Sequence, residues 1–198
     1  KPYNVASVAP QIVDPETTSV LLTSTVKYDS SSTTKSNDTL KSEIITAVTN
    51  YNTNTLQKFD SVYRHSKLTG LIDAVDNSIL SNITSIKVRK NFTPTLLSSN
   101  KYDIYFRNAL FNPHSGHNSA SGGILSSTGF KIDGNDNEMF LDDDGSGIVR
   151  LYYLASGIRT YVNETQGTID YTTGQITLNS LNVASISNIR GATSTTIE

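Results

Sequence analysis

The sequence has 198 residues with 16 basic and 18 acidic side chains, a net charge of -2 that leaves no basic field to hold nucleic acid. Cysteine is absent, which excludes disulfides, thiolate metal sites and cysteine nucleophiles. Hydrophobic residues make up only 36% of the chain, and no apolar run approaches the roughly 18 residues of a membrane helix. We therefore expect neither a nucleic-acid nor a membrane partner, and the Ser-, Thr- and Asn-rich remainder favours β-structure with polar turns.

The first half of the chain carries the only long helical periodicity. Residues 19–28 alternate apolar and polar side chains, which predicts a strand with one buried face. Apolar side chains then recur at spacings of four, four and three residues, which predicts a helix over about 37–51 with Ser36 as its cap. These apolar residues are Leu40, Ile44, Val48 and Tyr51.

A second, shorter apolar pattern predicts a helix over about 67–75, with Ser66 as a candidate cap and His65 beside it in a capping or packing role. Residues 83–89 alternate again and predict another strand. A short apolar stretch at 5–9 lies between two prolines, which confine it to a sheet edge. The order strand, helix, helix, strand predicts an α+β module in which helices cover one face of a sheet.

The pattern changes beyond Pro94 to short strands separated by turn residues. This spacing predicts a small all-β domain, sandwich-like or barrel-like, and so a division of the chain into domains 1–95 and 96–198. Glycine supplies the positive φ that hairpin turns need, most clearly at 142–145 and 172–174. The predicted strands are 101–108, 129–132, 138–141, 147–154, 158–162, 168–171 and 175–178.

Two acidic loops carry the residue types that bind calcium, which prefers several oxygen ligands from a tight turn. Neither loop has the twelve-residue EF-hand spacing with its terminal glutamate. Asp and Asn also favour hairpin turns without any metal, and this simpler explanation is the one we adopt. The two sets are Asp142, Asp143 and Asp144 in one loop, and Asp133, Asp136 and Glu138 in the other.

His114 and His117 form a His-x-x-His pair in a Gly- and Ser-rich loop over 113–123. A zinc enzyme would need a third protein ligand and a general base on a rigid element, so a solvated loop without metal is the prediction. Nucleophile elbows, phosphate-binding loops and dinucleotide fingerprints are also missing from the sequence. We predict no catalytic residue, no cofactor and no metal.

Specific strings in the chain resemble the baseplate J-like family of contractile tails. In wedge proteins of that family a strand ends in Tyr-Asp, a helix follows, and a Phe leads into a short helix with Ile-Asp and Asp-x-Ser-Ile. The strings FLDDDGSGIVRLYY and GTIDYTTGQITL are similar to the region that follows in the larger baseplate wedge protein of T-even-like phages. The matching positions in the first half are Tyr28-Asp29, Phe59, Ile72-Asp73, Asp76, Ser78 and Ile79.

This resemblance implies a non-enzymatic structural component of a phage tail baseplate wedge, here a fragment lacking the N-terminal portion. It implies a homodimer or a higher, ring-forming homo-oligomer that contacts other baseplate wedge proteins. The location would be the tail baseplate of the virion, after assembly in the host cytoplasm. Aromatic side chains dominate interface cores, so the candidates for burial between subunits, against ordinary packing within one domain, are Phe92, Tyr105, Phe111 and Tyr152.

Two alternatives stay open at the level of sequence. A β-rich surface or adhesin module that binds a host-surface ligand fits the Ser, Thr and Asn content and the hairpins equally well. A hydrolase with a calcium- or histidine-dependent site would need His114, His117 and an acidic group to converge in one pocket.

Overall fold

The computed structural model describes residues 17–58 and 61–198, which fall into two compact units. We call Val20–Lys87 the helical unit, and we call Val88–Glu198 together with residues 17–19 the barrel unit. The edge strand predicted at 5–9 and the residue Phe59 lie outside the described residues. The domain boundary near residue 95 stays a prediction.

The helical unit is built around two long helices and two strands. The side chain of Ser36 accepts a hydrogen bond from the backbone N–H of Thr39 at 3.2 Å and so caps the first helix, as its position predicts. The Ser66 cap is wrong, because the second helix has already begun at His65 and Arg64 is its cap residue. The elements are β1 (Ser19–Tyr28), α1 (Asn37–Tyr51), one π-helical turn (Asn52–Leu56), α2 (His65–Asp73) and β2 (Ile79–Arg89).

Strands β1 and β2 pair into a two-stranded sheet. The Asp29 N–H donates to the Ser78 carbonyl at 2.9 Å, and the hydroxyls of Ser24 and Thr84 lie 2.8 Å apart, so the strands run antiparallel. Among the described residues of this unit, the buried apolar side chains are Leu40, Leu68 and Ile72. The hydrophobic core of the helical unit is therefore small.

The barrel unit contains strands β3 to β8 and has the larger hydrophobic core. Strands β4, β5, β6 and β7 pair each with the next, and β8 pairs with both β7 and β4, which closes five strands into a barrel. Strand β3 pairs with β8 as well. The bounds are β3 (Ser99–Tyr105), β4 (Phe130–Ile132), β5 (Asn135–Asp143), β6 (Ile148–Ala155), β7 (Ile158–Asp170) and β8 (Gln175–Ile186).

Strand β7 joins two segments that the sequence pattern separates at 158–162 and 168–171. The polar stretch between them is accommodated by an irregular register against β6. Within it, the Asn163 side-chain oxygen accepts the Thr165 N–H at 2.9 Å, a local bond typical of a bulge or turn. A polar break in the pattern therefore marks a bend in one strand, not the end of it.

Apolar side chains from all five barrel strands fill its interior. Phe130, Met139, Leu178 and Val183 are fully buried, and Ile197 packs against the same cluster. The mixed α+β class is thus confirmed, and of the two all-β forms the sequence allows, the structure has the barrel.

Gly167 lies where β7 meets β8, opposite Leu178. A Cβ at this position would overlap the backbone carbonyl of Thr177, which cannot move without separating the strands. We expect Gly167→Ala to lower the free energy of unfolding by about 2–3 kcal/mol, as overpacking does in rigid sites. Gly70→Ala is the matched control, because nothing lies within 4 Å of a Cβ at Gly70 in α2; it should stabilise by up to about 1 kcal/mol. Urea unfolding checks both, and an equal effect of the two changes would contradict the packing argument.

Lys35 lies in the loop before α1 and forms ion pairs with two elements. Its Nζ lies 2.8 Å from Glu43 in α1 and 2.9 Å from Asp76 in the turn before β2. The ammonium of Lys35, and then Ser78, whose backbone N–H donates to the carboxylate at 2.9 Å, hold the pKa of the Asp76 carboxyl well below its ordinary value of 3.8. A carboxyl with a lowered folded pKa stabilises the fold above the unfolded value and loses that contribution as the pH falls. We expect the α1 amides of the unchanged protein to lose protection from hydrogen exchange as the pH drops below about 4. In Asp76→Asn the protection of these amides should depend less on pH. Both series are corrected for the pH dependence of the intrinsic exchange rate.

Candidate functional site

A surface cleft of the barrel unit brings together two of the four predicted interface aromatics. The cleft has a volume of about 370 Å³, and Phe92 and Tyr105 both line it. The Phe92 ring packs on Tyr102 with 5.3 Å between ring centroids, whereas Tyr105 keeps 40% of its surface exposed. Arg89 lines the cleft too, and its guanidinium binds the Glu198 carboxylate at 2.7 Å. The cleft thus has an aromatic wall beside an ion pair.

The other two aromatics lie elsewhere. Phe111 follows β3 in a loop and is 83% exposed, the most exposed large apolar side chain of the described residues. Tyr152 in β6 is only 8% exposed, and its ring packs between Phe140 and Tyr161. The structure therefore leaves Phe111 and Tyr105 exposed and uses Tyr152 for packing within the barrel unit, and an interface role for these residues stays a prediction.

The predicted acidic loop 142–144 proves to be the end of β5, where two carboxylates are buried. Asp142 is 1% exposed, and its oxygens accept hydrogen bonds from Arg150 Nε at 2.9 Å, Arg159 Nη1 at 2.5 Å and the Tyr161 hydroxyl at 3.1 Å. Arg150 also donates to the carbonyls of Ser119 and Asp143. A buried carboxylate is tolerated because two guanidinium groups pair with it.

Asp143 is fully buried and points to a different set of donors. Its carboxylate accepts the backbone N–H groups of Ile124 and Leu125 at 2.8 and 2.6 Å, and the Tyr171 hydroxyl at 2.6 Å. Gly123 allows this approach, because a Cβ there would overlap the carboxylate and its φ is +54°. Asp143 thereby ties the segment before β4 to the barrel.

The tyrosines around these carboxylates stay protonated. Burial, and then the adjacent carboxylate, raise the pKa of the Tyr161 and Tyr171 hydroxyls above their ordinary value of 10.0. Each hydroxyl is therefore a fixed hydrogen-bond donor at any physiological pH, and neither is placed to act as a base. The arrangement stabilises structure and offers no open carboxylate to a substrate.

The second acidic set does not converge. Asp133 accepts a hydrogen bond from the Asn182 side chain at 3.2 Å, and Glu138 lies against Gly129. Within residues 17–58 and 61–198, no three His, Asp or Glu side chains come together in a way that could hold a metal ion. His114 and His117 contact each other, with His117 Nδ1 3.5 Å from His114 Nε2. His65 accepts or donates a hydrogen bond with the Tyr63 hydroxyl at 3.1 Å.

The sheet of the helical unit presents apolar side chains on its outer face. Ile83 in β2 is 78% exposed and Leu21 in β1 is 36% exposed, whereas their neighbours Leu22, Asn82 and Thr84 are partly covered. Alternation along a strand assigns these two sets to opposite faces. Among the described helices, none is both long and apolar enough to cross a membrane.

Part of the chain matches a family model of known proteins. Residues 18–91 match the family model described as baseplate structural protein gp6, C-terminal domain III. The match supports a structural protein of a phage baseplate. It covers the helical unit and under half of the chain, so the barrel lies almost wholly outside it; the resemblance to the baseplate J-like family stays a prediction. No curated protein matches the chain.

Sequence reasoning missed the partners of Asp142. The signal was present, because a hairpin turn centred on residue 146 places Asp142 directly opposite Arg150, as the observed register does. Arg159 could not be paired in advance, since β7 approaches Asp142 only after the barrel has closed. In the sequence the acidic residues stand together without a cationic neighbour, which is the pattern of a metal ligand set. Their cationic partners lie on other strands.

Replacing the buried carboxylate tests this assignment. Asp142→Asn leaves the guanidinium groups of Arg150 and Arg159 without a countercharge in a buried site, so we expect a loss of about 3 kcal/mol in the free energy of unfolding. Asp170→Asn is the matched control, because Asp170 lies in an exposed hairpin turn with Thr172 and Thr173; it should cost less than about 1 kcal/mol. Equal losses in guanidinium unfolding would contradict a special role for Asp142.

Proposed function

We propose that this chain is part of a baseplate wedge protein of a contractile-tailed phage, with a structural and non-enzymatic role. It acts by self-association and by contacts with neighbouring baseplate proteins, in the tail baseplate of the virion after assembly in the host cytoplasm. Its strand–helix–helix–strand portion and its barrel portion form successive modules, and the baseplate J-like family is the group to which we assign them. The observation that carries the proposal is the match of residues 18–91 to the gp6 domain.

The small core of the helical unit supports a role that depends on partners. With only three buried apolar side chains among its described residues, the unit gains little hydrophobic stabilisation by itself. Its two-stranded sheet leaves Ile83 and Leu21 exposed, and isolated two-stranded sheets are marginal in water. Burying this face against another subunit would add the apolar contact that the unit lacks.

Features of the barrel unit support the same role. Phe111 projects almost fully into solvent, and an aromatic side chain in that state is a typical interface anchor. The cleft that Phe92 and Tyr105 line also contains charged side chains such as Arg89, and this mixture of aromatic and polar groups is common in protein–protein contacts. By contrast, the buried Asp142 and Asp143 already have protein partners, so neither of these carboxylates is free to act as an acid or a base.

Sedimentation velocity over a range of concentrations tests self-association. We expect the sedimentation coefficient of the chain to rise with concentration, and Phe111→Ser or Ile83→Ser to weaken association by about tenfold or more, equivalent to about 1.4 kcal/mol. Both side chains are so exposed that their removal should leave the folded subunit intact.

Ile158→Ser serves as the matched control, because Ile158 is 72% exposed in the β6–β7 hairpin and belongs to neither proposed surface. A chain that stays monomeric at all concentrations, and that also fails to bind neighbouring baseplate proteins when restored to its longer protein, would overturn the proposal. Tight binding of a glycan by that monomer would favour the adhesin alternative.

A further inference from the structure

The loop that carries His114 and His117 is held firmly against the turn between β5 and β6. The Gly116 N–H and the Asn112 side-chain amide both donate to the Gly145 carbonyl at 2.9 Å. A Cβ at Gly145 would lie 2.5 Å from backbone atoms of His117, so the two segments are in direct contact. The loop over 113–123, which the sequence predicts to be solvated, is therefore fixed to the β5–β6 turn, and this contact positions its two histidines.

The two imidazole rings are already spaced as a chelating pair. They meet edge to face at 86°, and His114 Nε2 lies 3.5 Å from His117 Nδ1. Two ligand nitrogens at about 2.0–2.1 Å from one tetrahedral metal ion are about 3.4 Å apart. A metal ion could therefore take both nitrogens with little movement of either ring.

The outer nitrogens of both rings have hydrogen-bond partners within the loop, and the partner of His114 fixes the tautomer that binds a metal. His114 Nδ1 lies 3.0 Å from the Ser115 carbonyl, which can only accept, so Nδ1 carries the proton and Nε2 keeps its lone pair. His117 Nε2 lies 3.0 Å from the Asn118 side-chain amide. The Asn118 Nδ2 group donates this hydrogen bond, so His117 Nδ1 carries the proton that faces His114 Nε2. A metal ion takes the place of this proton, and the Asn118 amide then rotates so that its oxygen accepts from Nε2. Such outer partners are the usual supports of metal-binding histidines.

We propose that His114 and His117 form a two-coordinate site for a borderline divalent transition-metal ion such as Zn²⁺, Ni²⁺ or Cu²⁺. Imidazole suits these ions, whereas Ca²⁺ and Mg²⁺ require oxygen ligands. His114 is exposed and His117 half-buried, so water or an added chelator completes the coordination. The chain has no cysteine, and its one other histidine is His65 in the helical unit.

The test uses the chain without an affinity tag, stripped of metal and titrated with Cu²⁺ held by iminodiacetate. This complex leaves adjacent coordination positions that two imidazoles can fill together. We expect one complex per chain, with two imidazole nitrogens in the electron paramagnetic resonance spectrum, and no displacement by excess Ca²⁺. His114→Gln or His117→Gln should each weaken binding about a hundredfold, because the chelate is lost.

His65→Gln is the matched control and should leave binding unchanged, while circular dichroism verifies that each variant is folded. A spectrum with one imidazole nitrogen would overturn the proposal. Binding that survives in the double variant His114→Gln/His117→Gln, or that falls equally in His65→Gln, would overturn it too. Because His114 is exposed, its variant remains a valid test even if His117→Gln loosens the loop.

Discussion

The barrel unit depends on two adjacent buried carboxylates whose charges must be satisfied from several directions. At the end of β5, Asp142 accepts hydrogen bonds from Arg150 of β6 and Arg159 of β7. Asp143 accepts hydrogen bonds from backbone N–H groups of the segment before β4. Removing water from a carboxylate costs several kcal/mol unless such donors replace it. The geometry of three strands and a long loop is therefore specified by polar contacts at one end of the barrel, while apolar packing stabilises its interior.

The contacts of the two carboxylates also determine which side chains remain available to bind a metal ion. Asp142 and Asp143, two of the candidate calcium ligands, are paired with arginine and backbone donors. The histidine pair instead keeps two ring nitrogens 3.5 Å apart. Gly145 belongs to both arrangements, since its N–H donates to Asp143 and its carbonyl accepts from the histidine loop. The hydrogen bonds of the buried carboxylates thus also help to position the histidine pair.

Local patterns in the sequence predict individual helices and strands well, but they predict poorly where a strand continues and which elements pack together. The α1 helix follows from the recurrence of Leu40, Ile44 and Val48 and from its Ser36 cap. The continuity of β7 does not follow, because a bulge stabilised by side-chain bonds looks like a loop in a polarity pattern. Likewise, the exposure of Phe111 and the burial of Tyr152 depend on which loop covers which strand, and no spacing along the chain contains that information.

Strand β8 is the last strand of the barrel unit to be synthesised. It pairs with β3, β4 and β7, and the residues after it bring Ile197 against Phe92 and Glu198 against Arg89. During synthesis, β3 and β4 are made well before the strand that joins them. Ser99 of β3 pairs with Asn182 and Phe130 of β4 with Ile186, so these strands remain without this partner until β8 has been synthesised. Topologies with such distant pairing fold slowly and are prone to aggregation until they close. Production of this protein should therefore be sensitive to translation rate and temperature.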